Sequence, residues 1–344
     1  MTLLLACAFS VFAVVVAIFA PSLVPMNLNL GSDDLAPSDS PINGGEISSN
    51  TPVSLLFLGD IMLARGVEWR IGLNDLSYPL SEMVDYLSAP DLTIGNFEGT
   101  VREKPNQEIS GFSFDTTPEI AGTIADAGID VVSLSNNHSD NYGSAVVQST
   151  RDTINALGMT PFGDPHDSPN HIARIIINDQ PLSFIGFHAF TEEPETLLPA
   201  IAAEKAAGNF VIVFPHWGNE YQHTPSAAQI EAAHLFVDAG ADAIIGAHAH
   251  VIQTYENYRG APIIYSLGNF LFDQDFSVET QQGLTLGFVI DAETITMSFV
   301  PVSVIKSRVT LMGADEAAAV LAEHDLPATL KIARPTNQNA QVQQ

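Results

Sequence analysis

Cysteine is almost missing: Cys7 is the one sulfhydryl in 344 residues. That excludes an intramolecular disulfide framework and any cysteine-based zinc ribbon, since both need several sulfurs. Because Cys7 sits inside an apolar run, the globular part has no cysteine at all. Positive charge is nearly as scarce, with Lys+Arg 12 against Asp+Glu 40 and a formal net charge of −28. Phosphate backbones and anionic membrane surfaces are held by clustered cations, so no nucleic acid is expected as a partner and an anionic lipid surface is a poor one. What is present is apolar: 46% of the residues are hydrophobic, enough to bury the core of one large domain or two small ones. An acidic chain with few lysines stays soluble at high salt, where its self-repulsion is screened. That composition fits a saline or extracytoplasmic setting, and it fits plain solubility as well.

Leu3 to Ala20 (LLLACAFSVFAVVVAIFA) carry no charge, and with Pro21 to Val24 the run is long enough to cross a bilayer as a helix. No Lys or Arg occurs before Arg65, so the positive-inside rule has only the terminal amine to act on. A cleaved signal would carry a basic start and a small-x-small site; Ile18 and Ala20 match that weakly, and an uncleaved anchor is the favoured reading. Asn27 to Thr51 are rich in Ser, Asp, Gly, Asn and Pro without an apolar period, the composition of a flexible tether.

From Val53 onward, short apolar runs alternate with amphipathic stretches, the pattern of an α/β domain. Val53–Leu58, Ile129–Leu134, Asn209–Phe214, Ala243–Ile245 and Pro262–Leu267 read as strands. Thr117–Ala127 and Ser226–Ala239 read as helices with start and stop signals. Leu284–Ile290 and Thr294–Ile305 read as strands joined around Asp291-Ala292-Glu293. The expected division is 1–24 anchor or signal, 25–52 linker, 53–312 globular domain and 313–344 C-terminal helix with a polar, frayed tail.

Each strand ends in a polar knot: Gly59-Asp60, Asn96-Phe97-Glu98, Asn136-Asn137-His138, His216-Trp217-Gly218 and His248-Ala249-His250. Carboxyl ends of strands are the usual place for a ligand site in an open α/β sheet. Taken singly, each knot has a plain structural reading. Asp60 suits a helix N-cap, Asn137 a turn, Glu98 a solvated carboxylate, and His248-x-His250 a core or surface pair. Together they offer the carboxylate and imidazole donors that suit Mn, Fe or Zn. Alternation on an extended segment would put His248 and His250 on one side. Asn137 would offer an amide oxygen and His138 a general acid. His166, His171, His188, His223, His234 and His324 have no such company.

From about Val53 to about Val309 the chain resembles the capsule synthesis CapA family, the poly-γ-glutamate biosynthesis proteins, a branch of the calcineurin-like metallophosphatase superfamily. The resemblance is carried by Gly59-Asp60-Ile61-Met62 with Arg65, Asn96-Phe97-Glu98, Asn136-Asn137-His138, His216-Trp217-Gly218-Asn219-Glu220-Tyr221, Gly246-Ala247-His248-Ala249-His250 and Tyr265-Ser266-Leu267-Gly268-Asn269-Phe270. It implies a four-layer α-β-β-α sandwich behind the N-terminal transmembrane helix, with two divalent metal ions. Asp60, Glu98 and His250 would hold one, Glu98, Asn137, His216 and His248 the other. His138 would protonate the leaving group, and Arg65 or Glu220 would orient substrate. Two departures stand out. The metallophosphatases have Asp-x-His where this chain has Asp60-Ile61-Met62, which removes an imidazole from the first metal. The family's Asp three residues after the His of Asn-Asn-His is Asn141 here, with Asp140 before it.

With the uncharged N-terminal run read as an anchor, the resemblance implies a membrane-anchored protein of capsule or poly-γ-glutamate synthesis, its globular part expected to be extracytoplasmic, or secreted if the leader is cleaved. Its chemistry would be metal-assisted hydrolysis or transfer at a phosphoester or γ-amide, on an anionic polymer or phosphoester substrate, beside other capsule-synthesis membrane proteins. The alternative is a non-catalytic component that binds or exports the polymer.

Overall fold

The computed structural model describes residues 51–105 and 111–334. The apolar run Leu3–Ala20, nearly all of the linker and the tail beyond Arg334 lie outside the described residues. Among the described residues, no helix is long and apolar enough to cross a membrane.

Two large sheets organise a mixed α/β fold. The nine-stranded sheet runs in the order Arg308–Leu311, Thr294–Ile305, Gln282–Ile290, Val53–Ile61, Leu92–Phe97, Val131–Ser133, Thr160–Phe162. Asn269–Leu271 also pairs with Val53–Ile61, and Thr329–Ala333 with Thr294–Ile305. The six-stranded sheet runs Tyr255–Tyr258, Ala261–Ile264, Ala243–Ile245, Phe210–His216, Gln180–His188, Ala173–Ile177. All six of its strands lie within residues 173–264, so the first sheet is interrupted in sequence by the whole of the second.

The strands that read as continuous apolar runs are buried on both faces, as parallel strands under helices must be. Along Val53–Ile61 the side chains alternate between two cores. Leu55 and Phe57 join Phe184, Ile212, Phe214, Ile245 and Phe288, residues of both sheets. Phe57 lies 5.9 Å from Phe288 within its own sheet and 6.4 Å from Phe214 of the other. Leu56 and Leu58 instead meet Val67, Ile71, Ile124 and Ile154 from helices. On the second sheet Ile185, Val211 and Val213 pack against Ile201 and Phe236, again from helices.

The helix signals act as their chemistry requires. Thr117 accepts from the Ile120 N–H ahead of Pro118–Asp126, and Ser226 with Gln229 forms a reciprocal capping box ahead of Ala227–Ala239. The antiparallel pairing of Gln282–Ile290 with Thr294–Ile305 matches the expected hairpin. The Pro262–Leu267 strand is shorter than expected. It ends at Ile264, because Tyr265–Gly268 carry the chain out of the second sheet into the first, Leu267 bonding across to Gly246 and Leu284. At that crossing a Cβ on Gly59 would sit 1.8 Å from the Gly268 carbonyl oxygen, so only glycine lets Asp60 N donate to it at 3.0 Å.

Candidate metal centre

The parallel strands of both sheets end at one place. Asp60, Glu98, Asn137 and His138 arrive from the first sheet; His216, His248 and His250 arrive from the second. Ligand atoms of Asp60, Glu98 and His216 lie within 4.8 Å of one another, all buried. His250 Nδ1 is 3.3 Å from Asp60 Oδ2 and its Nε2 is 3.8 Å from Glu98 Oε1. His216 Nε2 is 2.8 Å from Asn137 Oδ1 and 3.0 Å from His248 Nδ1. All six residues expected as ligands are thus neighbours, with Glu98 within reach of members of both expected groups.

The two histidines of His248-Ala249-His250 are not on an extended segment. The strand stops at Ile245, and both residues take left-handed backbone, φ 91° and 57°. Side chains are uncommon there, and the conformation is held by pairing on either side, His216 with Ala247 and Ile252 with Leu267. The His248 N–H donates to Asp60 at 3.1 Å, which ties this bend to the opposite sheet.

Arg65 and Glu220 stand outside the ligand group. The Arg65 guanidinium is ion-paired with Asp273 and lies 4.4 Å over the Phe114 ring. Glu220 is exposed on the loop after His216. Met62 is fully buried, and its sulfur takes the Ala64 N–H at 3.0 Å, so it packs and caps instead of filling an imidazole's place. His138 stacks on Phe114 with centroids 3.8 Å apart, its Nε2 3.7 Å from Glu98 Oε1. Asn141 Oδ1 lies 3.1 Å from His138 Nδ1, so an amide makes the contact where the family's carboxylate would stand, while Asp140 pairs with His166.

Two residues of this neighbourhood carried no role from sequence. Asn96 is buried, and its Nδ2 lies 2.8 Å from Asp60 Oδ1, 3.4 Å from Glu98 Oε2 and 3.3 Å from His216 Nδ1. Its own oxygen accepts from Asn136. The signal was the i, i+2 spacing of Asn96 and Glu98, which puts both on one face of a strand end. His188 pairs in register with His216 at the ends of neighbouring strands, its Nδ1 3.0 Å from the Pro165 carbonyl oxygen. The signal there was the apolar run before it, Leu182–Phe187, unread as a strand.

The electrostatics favour a bound cation. Among the described residues Glu98 Oε1 is buried without a hydrogen-bond partner, and burial pushes this carboxyl well above its usual range, against the pull of His250 and with the push of Asp60. Burial draws His250 down, yet the Glu98 and Asp60 carboxylates outweigh it and hold the ring above its ordinary value. Burial, then neighbouring imidazoles, keeps His216 well below 6.5 and takes His248 down to about 3. The neutral imidazoles of His216 and His248 beside buried carboxyl groups, one oxygen of which has no hydrogen-bond partner among the described residues, are a donor set that borderline divalent ions take, with His250 giving up its proton on binding.

A pH dependence follows for the metal-free protein. Burial lowers His138, to about 4, and His188 as well as His216 and His248. A lowered folded-state pKa means that the unfolded chain binds protons first, so stability falls as pH drops from about 6.5 towards 4. Glu98 works in the opposite direction, as do the raised carboxyls of Glu68, Asp130 and Asp242, while His250, also raised, gains its proton above this window; the deeply buried histidines set the sign. Thermal melts in chelator across that window should show a falling midpoint; a flat or rising one would contradict the buried, neutral histidines.

A family model described as "Bacterial capsule synthesis protein PGA_cap" matches residues 54–274, which include every candidate residue above. The capsule biosynthesis protein CapA of Bacillus anthracis is 31% identical over 283 residues, 74% of this chain and 68% of that protein. The PGA biosynthesis protein CapA of Bacillus subtilis (strain 168) is 31% identical over 252 residues, 67% of this chain and 66% of that protein. A probable polyglutamine synthesis accessory protein of Mycobacterium tuberculosis is 25% identical over 63% of this chain and 66% of its own length. The chain thus spans about two thirds of the length of these relatives.

Proposed function

The chain belongs to the bacterial capsule synthesis protein family of PGA_cap and CapA, and from that premise we propose that it is a membrane-anchored, metal-dependent hydrolase or transferase of capsule or poly-γ-glutamate synthesis. The observation that carries the catalytic part is the buried, unpartnered Glu98 oxygen among donors from both sheets. The three apolar cores support reading the fold as a four-layer metallophosphatase-like sandwich. The uncharged run Leu3–Ala20 supports an anchor with the globular part extracytoplasmic.

In this reading Asp60, Glu98 and His250 hold one divalent ion, and Glu98, Asn137, His216 and His248 the other. Such ions would supply Lewis acidity and an activated water at the scissile phosphoester or γ-amide. His138, fixed by Asn141 and Phe114, faces the carboxylate side of the centre. Burial holds the ring near 4 and neutral in the free protein; negative charge of a bound substrate beside it would raise that value, and the ring would then take a proton from solvent and pass it to the leaving oxygen or nitrogen.

The test is elemental analysis of the full-length protein reconstituted with Mn, Fe or Zn. About two ions per chain are expected, with fewer in His248→Ala. A chain that holds no ion refutes the hydrolase reading and leaves polymer binding or export.

A further inference from the structure

Exposed aromatic rings stand over the centre. Phe190 is 53% exposed, its ring 4.7 Å from His248. Tyr221 is 40% exposed, 6.0 Å from His250, and touches Phe276, itself 66% exposed, at 5.3 Å. The three come from separate loops, after the Gln180–His188 strand, after Phe210–His216 and after Asn269–Leu271. Tyr221 is fixed by the Gln274 amide, which donates to its hydroxyl at 3.1 Å, and it takes left-handed backbone at φ 62°. Apolar surface exposed at the mouth of a polar centre marks a place that a ligand covers.

Charge indicates which ligand. Of the twelve Lys and Arg, eight are ion-paired with carboxylates of the chain. The cation whose field reaches Glu98, His138 and Tyr221 is Arg65, and Asp273 already neutralises it. Glu220, exposed beside Tyr221, adds a negative charge to the same rim. A polymer with a carboxylate on every unit would meet repulsion from a chain of net charge −28, and its flanking units would find rings instead of cations. Aromatic faces carry negative charge density and accept the weakly positive C–H face of a sugar ring.

We propose that Phe190, Tyr221 and Phe276 form a sugar-stacking platform, so that the polymer presented to this centre is a glycan whose charge is confined to the reacting linkage. This rests on the metal-centre reading only for what happens to the glycan after it binds.

The experiment is calorimetric binding of the full-length, metal-reconstituted protein to a panel of purified capsular polysaccharides, neutral and phosphodiester-linked, and to poly-γ-glutamate. At least one polysaccharide should bind, with an affinity that changes little between about 0.1 and 1 M salt. Binding should weaken roughly tenfold in each of Phe190→Ala and Phe276→Ala, whose exposed rings leave the core intact. Poly-γ-glutamate bound in preference, with salt-sensitive affinity, would overturn the proposal. So would the absence of polysaccharide binding, or binding indifferent to both variants. Repeating the titrations on chelator-treated protein separates the two readings: glycan binding that persists in a chain unable to hold metal keeps the platform and refutes only the catalysis.

Discussion

Glu98→Gln is expected to lower divalent-metal affinity by at least about a hundredfold and, in chelator, to raise the melting temperature above the parent's. Both effects have one source. The carboxylate is buried with an oxygen that has no hydrogen-bond partner among the described residues and the His250 ring as its countercharge at 3.8 Å, so a bound metal cation satisfies it better than the chain alone does. The amide keeps the shape and removes the charge. Because the Glu98 carboxyl is raised in the folded state, to about 8, the parent loses stability as pH climbs from its unfolded value towards that figure, and the variant does not. The gap between the two melting curves should therefore widen from about pH 5 to pH 8. Undiminished metal binding in the variant would remove Glu98 from the centre. A gap that does not vary with pH would mean that its charge is satisfied in some other way.

His138→Ala should cost about 10² to 10⁴ in turnover of a phosphodiester probe while the metal content stays unchanged. The ring lies beyond hydrogen-bond distance of the Glu98 oxygen, is bonded to Asn141 and to the Asn137 amide nitrogen and is stacked on Phe114, so its removal takes away no ligand atom and leaves the Asn137 oxygen in place. Asn141→Asp supplies a second measurement. A carboxylate at Nδ1 stabilises the imidazolium, so the limb of the pH–rate profile that reports His138 should move to higher pH. Turnover within about threefold of the parent in His138→Ala, at full metal content, would take this residue out of the reaction.

The local grammar of the chain was legible wherever the signal is local. Thr117 and Ser226 announce their helices because a cap acts within three residues, and the Ala243–Ile245 and Thr294–Ile305 strands are apolar runs bounded by polar ones. The strand-end position of Asp60, Glu98, Asn137 and His216 followed from the same reading. What stayed hidden depends on distant partners. Arg65 looks like a free anion hook until Asp273 is folded onto it, 208 residues away in sequence. His248 and His250 reach the centre through a left-handed bend held by residues of another strand, not through strand alternation. Ala173–Ile177 and Thr329–Ala333 are edge strands whose exposed side chains blur the apolar pattern that marks a buried strand.

The interruption of one sheet by the other has a consequence for biogenesis. Every candidate ligand, from Asp60 to His250, has been translated before the Gln282–Ile290 strand exists, yet that strand is the long antiparallel neighbour of the one bearing Asp60. Until it emerges from the ribosome, Val53–Phe57 lack their antiparallel partner and only Asp60 and Ile61 can pair on that flank, with Asn269–Leu271; non-local pairing of this kind is slow to close. The last strand pairing beside the centre is thus a late event, supplied by the 63 residues from Gln282 onward, which contribute none of its donors. A polypeptide that stops short of residue 282 carries every candidate ligand but lacks the long partner of the strand that bears Asp60.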